Sequence, residues 1–559
     1  MKNKILLAAI NARFTHTNLA LRYLRNHVAD LDYSCELQEF TIKQFPKEIL
    51  KNIFRAKPDI VAFSVYIWNT DICKILLTEI KKILPDIKIV LGGPEVSYNA
   101  EKWLMQYDSI DWIICGHGET GFRYLLENDL SVSDKIVKIN NPNFNHIPFP
   151  YSAEDFPEIQ NKYLYFESSR GCPFKCSYCL SSRSDQYLEY KDIKQVKEEL
   201  TWIIEQKPKI VKFVDRTFNA DKIFAREIWK FLIENKPETK FHFEVHPALM
   251  ENEDFELLST SPIDQMQFEI GIQSTNPVTL KAINRNQNWS KSKKNIHKLI
   301  SLQKFHVHVD LIAGLPFEDL TSLKQSFNDI ISLGADHFQM GFLKVLPGTE
   351  MAECKTEYNL QFTENAPYEI ISNRWLSYEE ILRLHIIETL VDSIYNSGKF
   401  EFTYRTLNTC FSDPFTFFNK VAEYVETLNI GENIKGWEKT GEMLLGFTTL
   451  HFPESFDLIR DSLCWDWCEI AGSHFYPPFL KQLDSINWKK AGNKYFQQYK
   501  SNGFIRINEM KLSLNSVKKS IFFLPSSSEF CQMYNFKKSI YAFAPNNNKK
   551  IVIPINVDI

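Results

Sequence analysis

The stretch Gly171-Cys172-Pro173-Phe174-Lys175-Cys176-Ser177-Tyr178-Cys179 places three cysteines within eight residues, with the spacing C-x3-C-x2-C. Thiolates this close together can bind one metal centre from a single loop, as they do in iron–sulfur proteins. A closed zinc site or a fully ligated cluster needs a fourth ligand, and no Cys or His follows nearby. Gly171 and Pro173 keep the segment out of helix and strand. The stretch therefore predicts a four-iron cluster with one iron open to a small ligand.

The spacing, with the aromatic Tyr178 directly before the last cysteine, resembles the signature of the radical S-adenosylmethionine (SAM) superfamily. The resemblance implies that Cys172, Cys176 and Cys179 hold a 4Fe-4S cluster whose open iron binds the amino and carboxylate groups of SAM. It also implies that the reduced cluster cleaves SAM to a 5′-deoxyadenosyl radical. An electron donor such as flavodoxin or ferredoxin is then expected as a partner.

The composition is that of an ordinary globular protein of three or four domains, with 559 residues, 44% hydrophobic and 24% charged. The 65 basic and 69 acidic residues give a net charge of −4, so nothing overall indicates a nucleic-acid partner. No apolar run approaches the about 20 residues of a membrane span. Residues Ile5 to Ile10 are too few for a signal peptide. Eleven cysteines without an export signal predict a reducing cytoplasm.

Residues 1–140 alternate short apolar strands with helical patterns, which predicts a doubly wound, parallel α/β sheet. Ligands bind such sheets at the carboxyl ends of the strands, and glycines and polar residues stand at four of these ends. The first helix lacks a G-x-G-x-x-G motif, so a dinucleotide is not indicated. The predicted strands are Lys4–Ile10, Ser34–Phe40, Asp59–Ser64, Lys88–Gly92 and Asp111–Cys115. The predicted helices are Thr17–Val28, Lys47–Phe54, Thr70–Leu84, Asn99–Gln106 and Thr120–Glu127.

Placed before a radical SAM signature, this domain resembles the cobalamin-binding domain of cobalamin-dependent radical SAM enzymes. Ser64, Gly92 and Gly93 match the family's loops around the cobalamin tail. The methyltransferase and mutase relatives carry Asp-x-His-x-x-Gly after the first strand, and neither His16 nor His117 has those neighbours. We therefore expect both histidines to be hydrogen-bonded loop residues. Cobalamin is expected to lack a protein histidine below cobalt.

A methylthiotransferase is a rival interpretation of the same domain. That family places three cysteines in an N-terminal α/β domain to bind a second cluster, and Cys35, Cys73 and Cys115 are spaced in a similar way. Cys35 falls early in a predicted strand and Cys73 inside a predicted helix. Buried cysteines in such elements are usually packing residues, so we expect no second cluster.

Residues 141–160 form a predicted linker, and residues 161–360 a partial (β/α)6 barrel of the TIM type with the cysteine loop after its first strand. The family resemblance assigns SAM contacts to residues at later strand ends. These are Glu269, Gln273 and Ser274 for ribose and carboxylate, Ile312 to Gly314 for the adenine-flanking turn, and Tyr178 for adenine. The predicted strands of the barrel are Tyr163–Ser168, Lys209–Asp215, Lys240–His246, Gln265–Ile270, His306–Ala313 and His337–Val345.

Residues 361–559 are predicted to be mostly α-helical, with a long helix over Trp375–Asn396 and a short sheet at Ile551–Val557. This part resembles the C-terminal domain of unknown function attached to some cobalamin-binding radical SAM proteins. Cys464 and Cys468 could bind a metal with His451 or His474, but their helical spacing favours packing in the core.

The sequence thus predicts a cytoplasmic radical SAM enzyme that uses a 4Fe-4S cluster, SAM and cobalamin to transfer a methyl group to an unactivated carbon. The substrate cannot be inferred from the sequence. A cobalamin-dependent rearrangement, cyclisation or oxidation without methyl transfer is one alternative. Methylthiolation of RNA or protein is another, and a non-enzymatic redox sensor is a third.

Overall fold

The computed structural model describes residues 3–140, 143–182, 187–428, 434–472, 475–480, 488–507, 509–546 and 549–555. The chain divides into two compact units, residues 1–336 with 340–378 and residues 337–339 with 379–559. None of the helices in the described ranges has both the length and the apolar character needed to cross a membrane.

The first unit begins with a doubly wound sheet, as predicted. Its strand order is β2-β1-β3-β4-β5-β6, and all five pairings are parallel. The strands are β1 (Asn3–Asn11), β2 (Tyr33–Thr41), β3 (Ile60–Ser64), β4 (Lys88–Gly92), β5 (Trp112–Ile114) and β6 (Ile136–Val137). The helices are α1 (Leu19–His27), α2 (Pro46–Ala56), α3 (Thr70–Ile83), α4 (Pro94–Ser97), α5 (Ala100–Gln106) and α6 (Gly118–Glu127).

Alternate side chains of the central strand β1 enter two separate hydrophobic cores. Leu6, Ala8 and Ile10 pack on one face of the sheet, and Ile5 and Leu7 pack on the other. A sheet covered by helices on both faces requires such continuous apolar strands. Each fully buried Leu or Ile contributes about 1.5–3 kcal/mol of hydrophobic free energy.

The second sheet of this unit has the order β14-β13-β12-β11-β10-β7, with parallel pairings from β7 to β13. This order matches the predicted partial barrel. Its strands are β7 (Tyr163–Phe166), β10 (Ile210–Phe213), β11 (Lys240–Glu244), β12 (Met266–Gln273), β13 (His306–Ala313) and β14 (His337–Phe342). The helices are α8 (Ile193–Glu205), α9 (Lys222–Asn235), α10 (Asn252–Ser259), α11 (Pro277–Ala282), α12 (Trp289–Ser301) and α13 (Leu320–Ile331).

Alternation along β12 and β13 separates the outer and inner faces of the barrel. Phe268, Ile270 and Ile272 are fully buried, whereas Glu269 and Gln273, on the other face of β12, are partly exposed. Apolar side chains that contact the helices and polar side chains that point into the lumen give this pattern.

Short elements complete the first unit. An antiparallel pair, β8 (Ser169–Arg170) and β9 (Glu189–Tyr190), flanks the cysteine loop. A second pair is β15 (Gln361–Phe362) with β16 (Ile370–Ser372). The remaining helices are α7 (Phe156–Ile159), α14 (Glu350–Glu353) and the 3-10 turns Phe144–His146, Ala153–Asp155, Leu180–Ser182, Phe218–Ala220 and Pro247–Leu249.

The second unit is helical as far as Ile470. The predicted long helix is α15 (Tyr378–Leu390), continued by a π-helical turn, Val391–Asn396. The helices that follow are α16 (Glu401–Asn408), α17 (Pro414–Thr427), α18 (Trp437–His451) and α19 (Phe456–Ile470). The 3-10 turns Pro453–Ser455 and Pro478–Leu480 accompany them.

The end of the second unit contains more β structure than the sequence predicts. It has two antiparallel three-stranded sheets, where the prediction placed one short sheet at Ile551–Val557, of which 556 and 557 lie outside the described residues. The elements are α20 (Trp488–Gln497), β17 (Lys500–Ser501), β18 (Phe504–Ile507), β19 (Met510–Ser513), α21 (Leu514–Lys518), β20 (Ile521–Phe523), α22 (Ser528–Met533), β21 (Ile540–Asn546) and β22 (Lys549–Ile555). Strands of two to four residues are too short to show an alternating pattern.

Cys464 and Cys468 lie in the core of the second unit. Both are buried in α19, and the Sγ of Cys468 lies 3.0 Å from the hydroxyl oxygen of Tyr476. Burial raises the pKa of the Cys468 thiol to about 12. His451 packs its ring on Phe447, and His474 lies outside the described residues. This environment keeps both sulfurs protonated, which disfavours metal binding.

We expect the double variant Cys464→Ser and Cys468→Ser to retain its full metal content. Neither thiol is ionised, so their loss removes packing and no metal ligand. Elemental analysis for iron and zinc on the reconstituted variant and wild type measures this. A loss of zinc, or of iron beyond that held by the cysteine loop, would contradict the packing role.

Candidate active site

The cysteine loop is anchored at both of its ends within the first unit. Gly171 has φ of +87°, and a Cβ there would lie 2.3 Å from the backbone oxygen of Tyr187, so only glycine fits. The amide of Ser177 donates to the carbonyl of Ile283 at 3.0 Å, and the carbonyl of Ser177 accepts from the amide of Met351 at 2.8 Å. The positions of the three cysteines are therefore fixed by backbone contacts.

Arg285 supplies a positive charge beside this loop. Its Nη1 lies 3.7 Å from the Sγ of Cys176 and donates to the hydroxyl of Tyr178 at 3.2 Å, while Nη2 donates to the carbonyl of Gly271. Burial raises the pKa of the Cys176 thiol, and the Arg285 charge opposes that rise. A cation beside a thiol favours the thiolate, which is the form that binds iron.

Three of the residues predicted to contact SAM occupy the carboxyl ends of neighbouring strands, as expected. Gln273 has φ of +71°, and its buried Oε1 has no hydrogen-bond partner among the described residues. Ile312 is partly exposed on the inner face of β13. Gly314 has φ of +89°, and a Cβ there would lie 2.7 Å from the side chain of Ile370. A strained, unsatisfied glutamine at a strand end is a feature of ligand-binding sites.

Ser274 and Glu269, which are also predicted to contact SAM, have polar partners in the protein. Ser274 is fully buried, donates its hydroxyl to Glu318 at 2.6 Å and accepts from the amide of Asn276. Glu269 lies four residues before Gln273 on β12, in register with Glu244 at the end of β11. Its carboxylate lies 3.0 Å from the Nε2 of His242. Both SAM contacts stay predictions.

Asp215 and Glu244 are acidic residues at the carboxyl ends of β10 and β11, and neither caps a helix that follows. Asp215 accepts hydrogen bonds from the hydroxyls of Ser168 and Ser169, both at 2.6 Å. Glu244 ends β11 inside the barrel, where burial raises its pKa to about 7, although the charge of Arg216 opposes that rise. A carboxyl with this pKa can hold or release a proton near neutral pH.

A cavity of about 730 Å³ opens at the carboxyl ends of the strands in the N-terminal sheet. All three residues predicted to contact cobalamin, Ser64, Gly92 and Gly93, line it. A Cβ at Gly92 would meet only the carbonyl oxygen of Ile114, at 3.8 Å. A Cβ at Gly93, where φ is +103°, would lie 2.5 Å from the backbone oxygen of Val65. Gly92 therefore leaves space in the cavity, whereas Gly93 is required by the backbone itself.

The sequence analysis did not identify an aromatic pair that follows β3. Tyr66 and Trp68 stack with ring centroids 4.4 Å apart and planes 6° from parallel, and Trp68 is 44% exposed. Exposed, ordered aromatic surface at the strand ends suits a large flat ligand. The aromatic residues at alternate positions in Tyr66-Ile67-Trp68 could have indicated this pair from the sequence.

His16 and His117 are hydrogen-bonded loop residues, as predicted. The Nδ1 of His16 lies 2.8 Å from the hydroxyl of Tyr165, and the Nδ1 of His117 accepts from Arg170 at 3.1 Å. Burial lowers the pKa of both imidazoles. Arg170 also pairs with Glu119 at 2.6 Å, so it joins the N-terminal sheet to the segment that leads into the cysteine loop.

Cys35, Cys73 and Cys115 do not converge. Cys73 and Cys115 belong to the hydrophobic core on one face of the N-terminal sheet, and Cys35 packs against the core on the opposite face. Burial raises the pKa of Cys35 and of Cys73 to about 12. The sheet separates these thiols, so they cannot bind one cluster, which removes the basis for the methylthiotransferase interpretation.

Three family models match successive stretches of the chain. The B12 binding domain model matches residues 5–126, and the Radical SAM superfamily model matches residues 166–330. The model of a protein of unknown function, DUF4080, matches residues 356–525. The chain therefore contains a B12-binding domain followed by a radical SAM domain. The B12-binding domain implies cobalamin, and the radical SAM domain implies a 4Fe-4S cluster and SAM. This confirms the predicted set of cofactors.

Curated relatives and solved structures are similar to parts of this chain. The chain is 24% identical over 311 residues to 2-(S-pantetheinyl)-carbapenam-3-carboxylate methyltransferase of Streptantibioticus cattleyicolor, covering 50% of this chain and 45% of the relative. It is 23% identical over 331 residues to the cobalamin-dependent radical SAM methyltransferase TokK of Streptomyces tokunonensis, covering 52% and 48%. The chain thus spans about half the length of these relatives.

Among solved structures, the cobalamin-dependent SAM radical enzyme OxsB with aqua-cobalamin bound superimposes with a TM-score of 0.59 at 15% identity. The match covers 83% of this chain and 80% of that one. At this identity the likeness establishes the fold.

The side chains present fit both cofactor classes. The radical SAM domain offers three cysteines on an anchored loop with a cation beside one sulfur. The cavity of the B12-binding domain has the size of a small-molecule site, and Gly92 lines it without a side chain that would fill it.

Proposed function

We propose that the protein is a cobalamin-dependent radical SAM methyltransferase that acts on an unactivated carbon. One observation carries the proposal. His117 and Glu119 line the cavity of the B12-binding domain, and both contact Arg170, which lies two residues before Cys172. The cavity wall and the cluster loop therefore share one buried residue. This connection supports neighbouring positions for the two cofactor sites, which methyl transfer with a radical step requires.

When bound, the cluster and SAM supply a carbon-centred radical, and cobalamin supplies a methyl carrier. The protein's own residues position these groups and exclude water. Cys172, Cys176 and Cys179 would hold the cluster, and Arg285 would favour the ionised form of Cys176. Tyr178, Gln273, Ile312 and Gly314 would contact SAM, and Ser64, Gly92 and Gly93 would line the cobalamin tail. Glu244 can hold or release a proton in the lumen.

The proposal also includes an electron donor and a cellular compartment. The electron for the cluster would come from a flavodoxin or ferredoxin, because a radical SAM domain needs an external reductant. None of the eleven cysteines, all of which lie within the described residues, forms a disulfide, which fits a reducing cytoplasm. The relatives named above are described as methyltransferases, and this supports methyl transfer over rearrangement, cyclisation or oxidation.

Product analysis tests the proposal without knowledge of the substrate. We expect the reconstituted protein, with hydroxocobalamin, SAM and a chemical reductant, to form both S-adenosylhomocysteine and 5′-deoxyadenosine. A methyltransferase that uses SAM twice leaves both products, whereas a rearrangement or oxidation leaves only 5′-deoxyadenosine. Mass spectrometry measures both. Absence of S-adenosylhomocysteine while 5′-deoxyadenosine forms would contradict methyl transfer, and absence of both would contradict radical chemistry.

A further inference from the structure

The inner face of the barrel carries a group of polar side chains on β12 and β13. Alternate residues of β13 that face the lumen are His308 and Asp310, and Glu269 of β12 lies in register with His308. The interior of a closed (β/α)8 barrel is ordinarily filled with apolar side chains, so these polar groups require an explanation of their own. Neither the cluster loop nor the cobalamin cavity includes these three residues.

The three side chains converge on one point. One potential ligand atom from each, a carboxylate oxygen of Glu269, an imidazole nitrogen of His308 and a carboxylate oxygen of Asp310, lies within 4.8 Å of the other two. The Nε2 of His308 lies 2.9 Å from the Oδ1 of Asp310. Two neighbouring ligands of an octahedral ion with bonds of about 2.1 Å are about 3 Å apart, so this pair already has the separation of two metal ligands.

The alignment of that pair is poor for a hydrogen bond. The Oδ1 of Asp310 is buried and has no hydrogen bond of acceptable angle in the described part of the chain, despite its short distance to the imidazole. A buried carboxylate oxygen without such a bond requires an explanation, and an unseen ion is one of the few available. Two ligand atoms of one cation lie close together without the alignment of a hydrogen bond, and the His308 and Asp310 atoms have this arrangement.

His242 makes a supporting contact with Glu269. The Nε2 of His242 on β11 lies 3.0 Å from the Oε2 of Glu269. Metal-binding carboxylates typically have such supporting partners.

From this geometry we propose that Glu269, His308 and Asp310 bind a divalent transition-metal ion inside the barrel lumen, in addition to the iron–sulfur cluster. One imidazole and two carboxylates suit Mn²⁺, Fe²⁺ or Zn²⁺. Three protein ligands leave positions open on an octahedral ion. The substrate class that fits is one that offers oxygen ligands, such as a carboxylate or a vicinal diol.

Mn²⁺ alone is the probe that tests the site. We expect the reconstituted protein, with its cluster in the diamagnetic 2+ state, to bind one Mn²⁺ per chain and remove the six-line electron paramagnetic resonance signal of the free ion. His308→Ala and Asp310→Asn should each weaken binding at least tenfold. His242→Ala removes a supporting contact and no ligand, so a loss of about 10–100-fold is expected.

The matched control is His306→Ala. His306 lies on the same strand two residues earlier and is exposed, so its loss should leave Mn²⁺ binding unchanged. Iron content and cluster absorbance, measured on every variant, show whether the fold survives. The proposal is overturned if wild type leaves the free-ion signal intact, if His308→Ala and Asp310→Asn bind as wild type does, or if His306→Ala loses as much. None of these outcomes depends on methyl transfer.

Discussion

Replacing Cys172, Cys176 and Cys179 together with alanine is expected to remove about four iron atoms per chain and all reductive cleavage of SAM. The three residues lie on a loop whose backbone is held by Ile283, Met351 and the turn at Gly171, so the loop keeps its path when the sulfurs are lost. The variant should therefore fold and still fail to assemble the cluster. Iron analysis, absorbance near 400 nm and quantification of 5′-deoxyadenosine after reduction measure the effect.

Two half-buried cysteines outside the loop provide the matched control. Cys354 and Cys410 are free thiols of intermediate exposure, and replacing both with alanine should leave iron content and SAM cleavage unchanged. Full iron occupancy in the triple variant would show that the cluster lies elsewhere. Loss of iron in the control would show that the effect reflects stability and is not specific to the loop.

The sequence predicted the layout of the first unit because its signals are local and repeated. Runs such as Lys88–Gly92 and His306–Ala313 are found with the predicted bounds. Apolar period, strand length and glycine at strand ends are set within ten residues, so they can be recognised in one sequence. The short strands β17 to β20 have no such signal: the sheet of β17 to β19 was missed, and so was the place of β20 in the sheet that contains the predicted strand at Ile551.

The partners of individual side chains could not be predicted in the same way. Ser274 follows the expected strand, but its bond to Glu318 joins residues 44 positions apart. The pair Arg170 and His117, 53 positions apart, and the convergence of Glu269 with His308 also depend on tertiary contacts. Cys35 and Cys73 were judged to be packing residues from their elements alone, and the fold supplied the stronger reason, which is that a sheet separates them.

Gly93 lines the cavity, but the backbone requires a glycine at this position whether or not a ligand is bound. A Cβ there would first meet the backbone of Val65, before it could crowd a bound ligand. Its φ of +103° and ψ of 167° lie in a region that essentially only glycine adopts, so a leucine would impose strain of about 1–3 kcal/mol, with a backbone clash added to it. Loss of cobalamin in Gly93→Leu would therefore report damage to the domain and could not establish the site.

Gly92→Leu avoids this difficulty and is expected to reduce uptake of hydroxocobalamin at least tenfold while the cluster is retained. Gly92 has no positive φ, and its nearest obstacle is 3.8 Å away, so a leucine is accommodated and fills part of the cavity of about 730 Å³. The fold should be preserved, because the new side chain occupies ligand space. Cobalamin absorbance and iron content after reconstitution and desalting measure the two effects separately.

Gly472→Leu is the matched control, since Gly472 also has open space around it and lies in the second unit. It should take up cobalamin as wild type does, with a spectrum that lacks nitrogen ligation on the lower face. His16→Ala and His117→Ala should leave that spectrum unchanged, because Tyr165 and Arg170 engage the two imidazoles. Normal uptake by Gly92→Leu would place cobalamin outside this cavity. If wild type shows the spectrum of histidine-ligated cobalamin and either alanine variant abolishes it, a protein histidine binds the lower face of cobalt, contrary to the prediction.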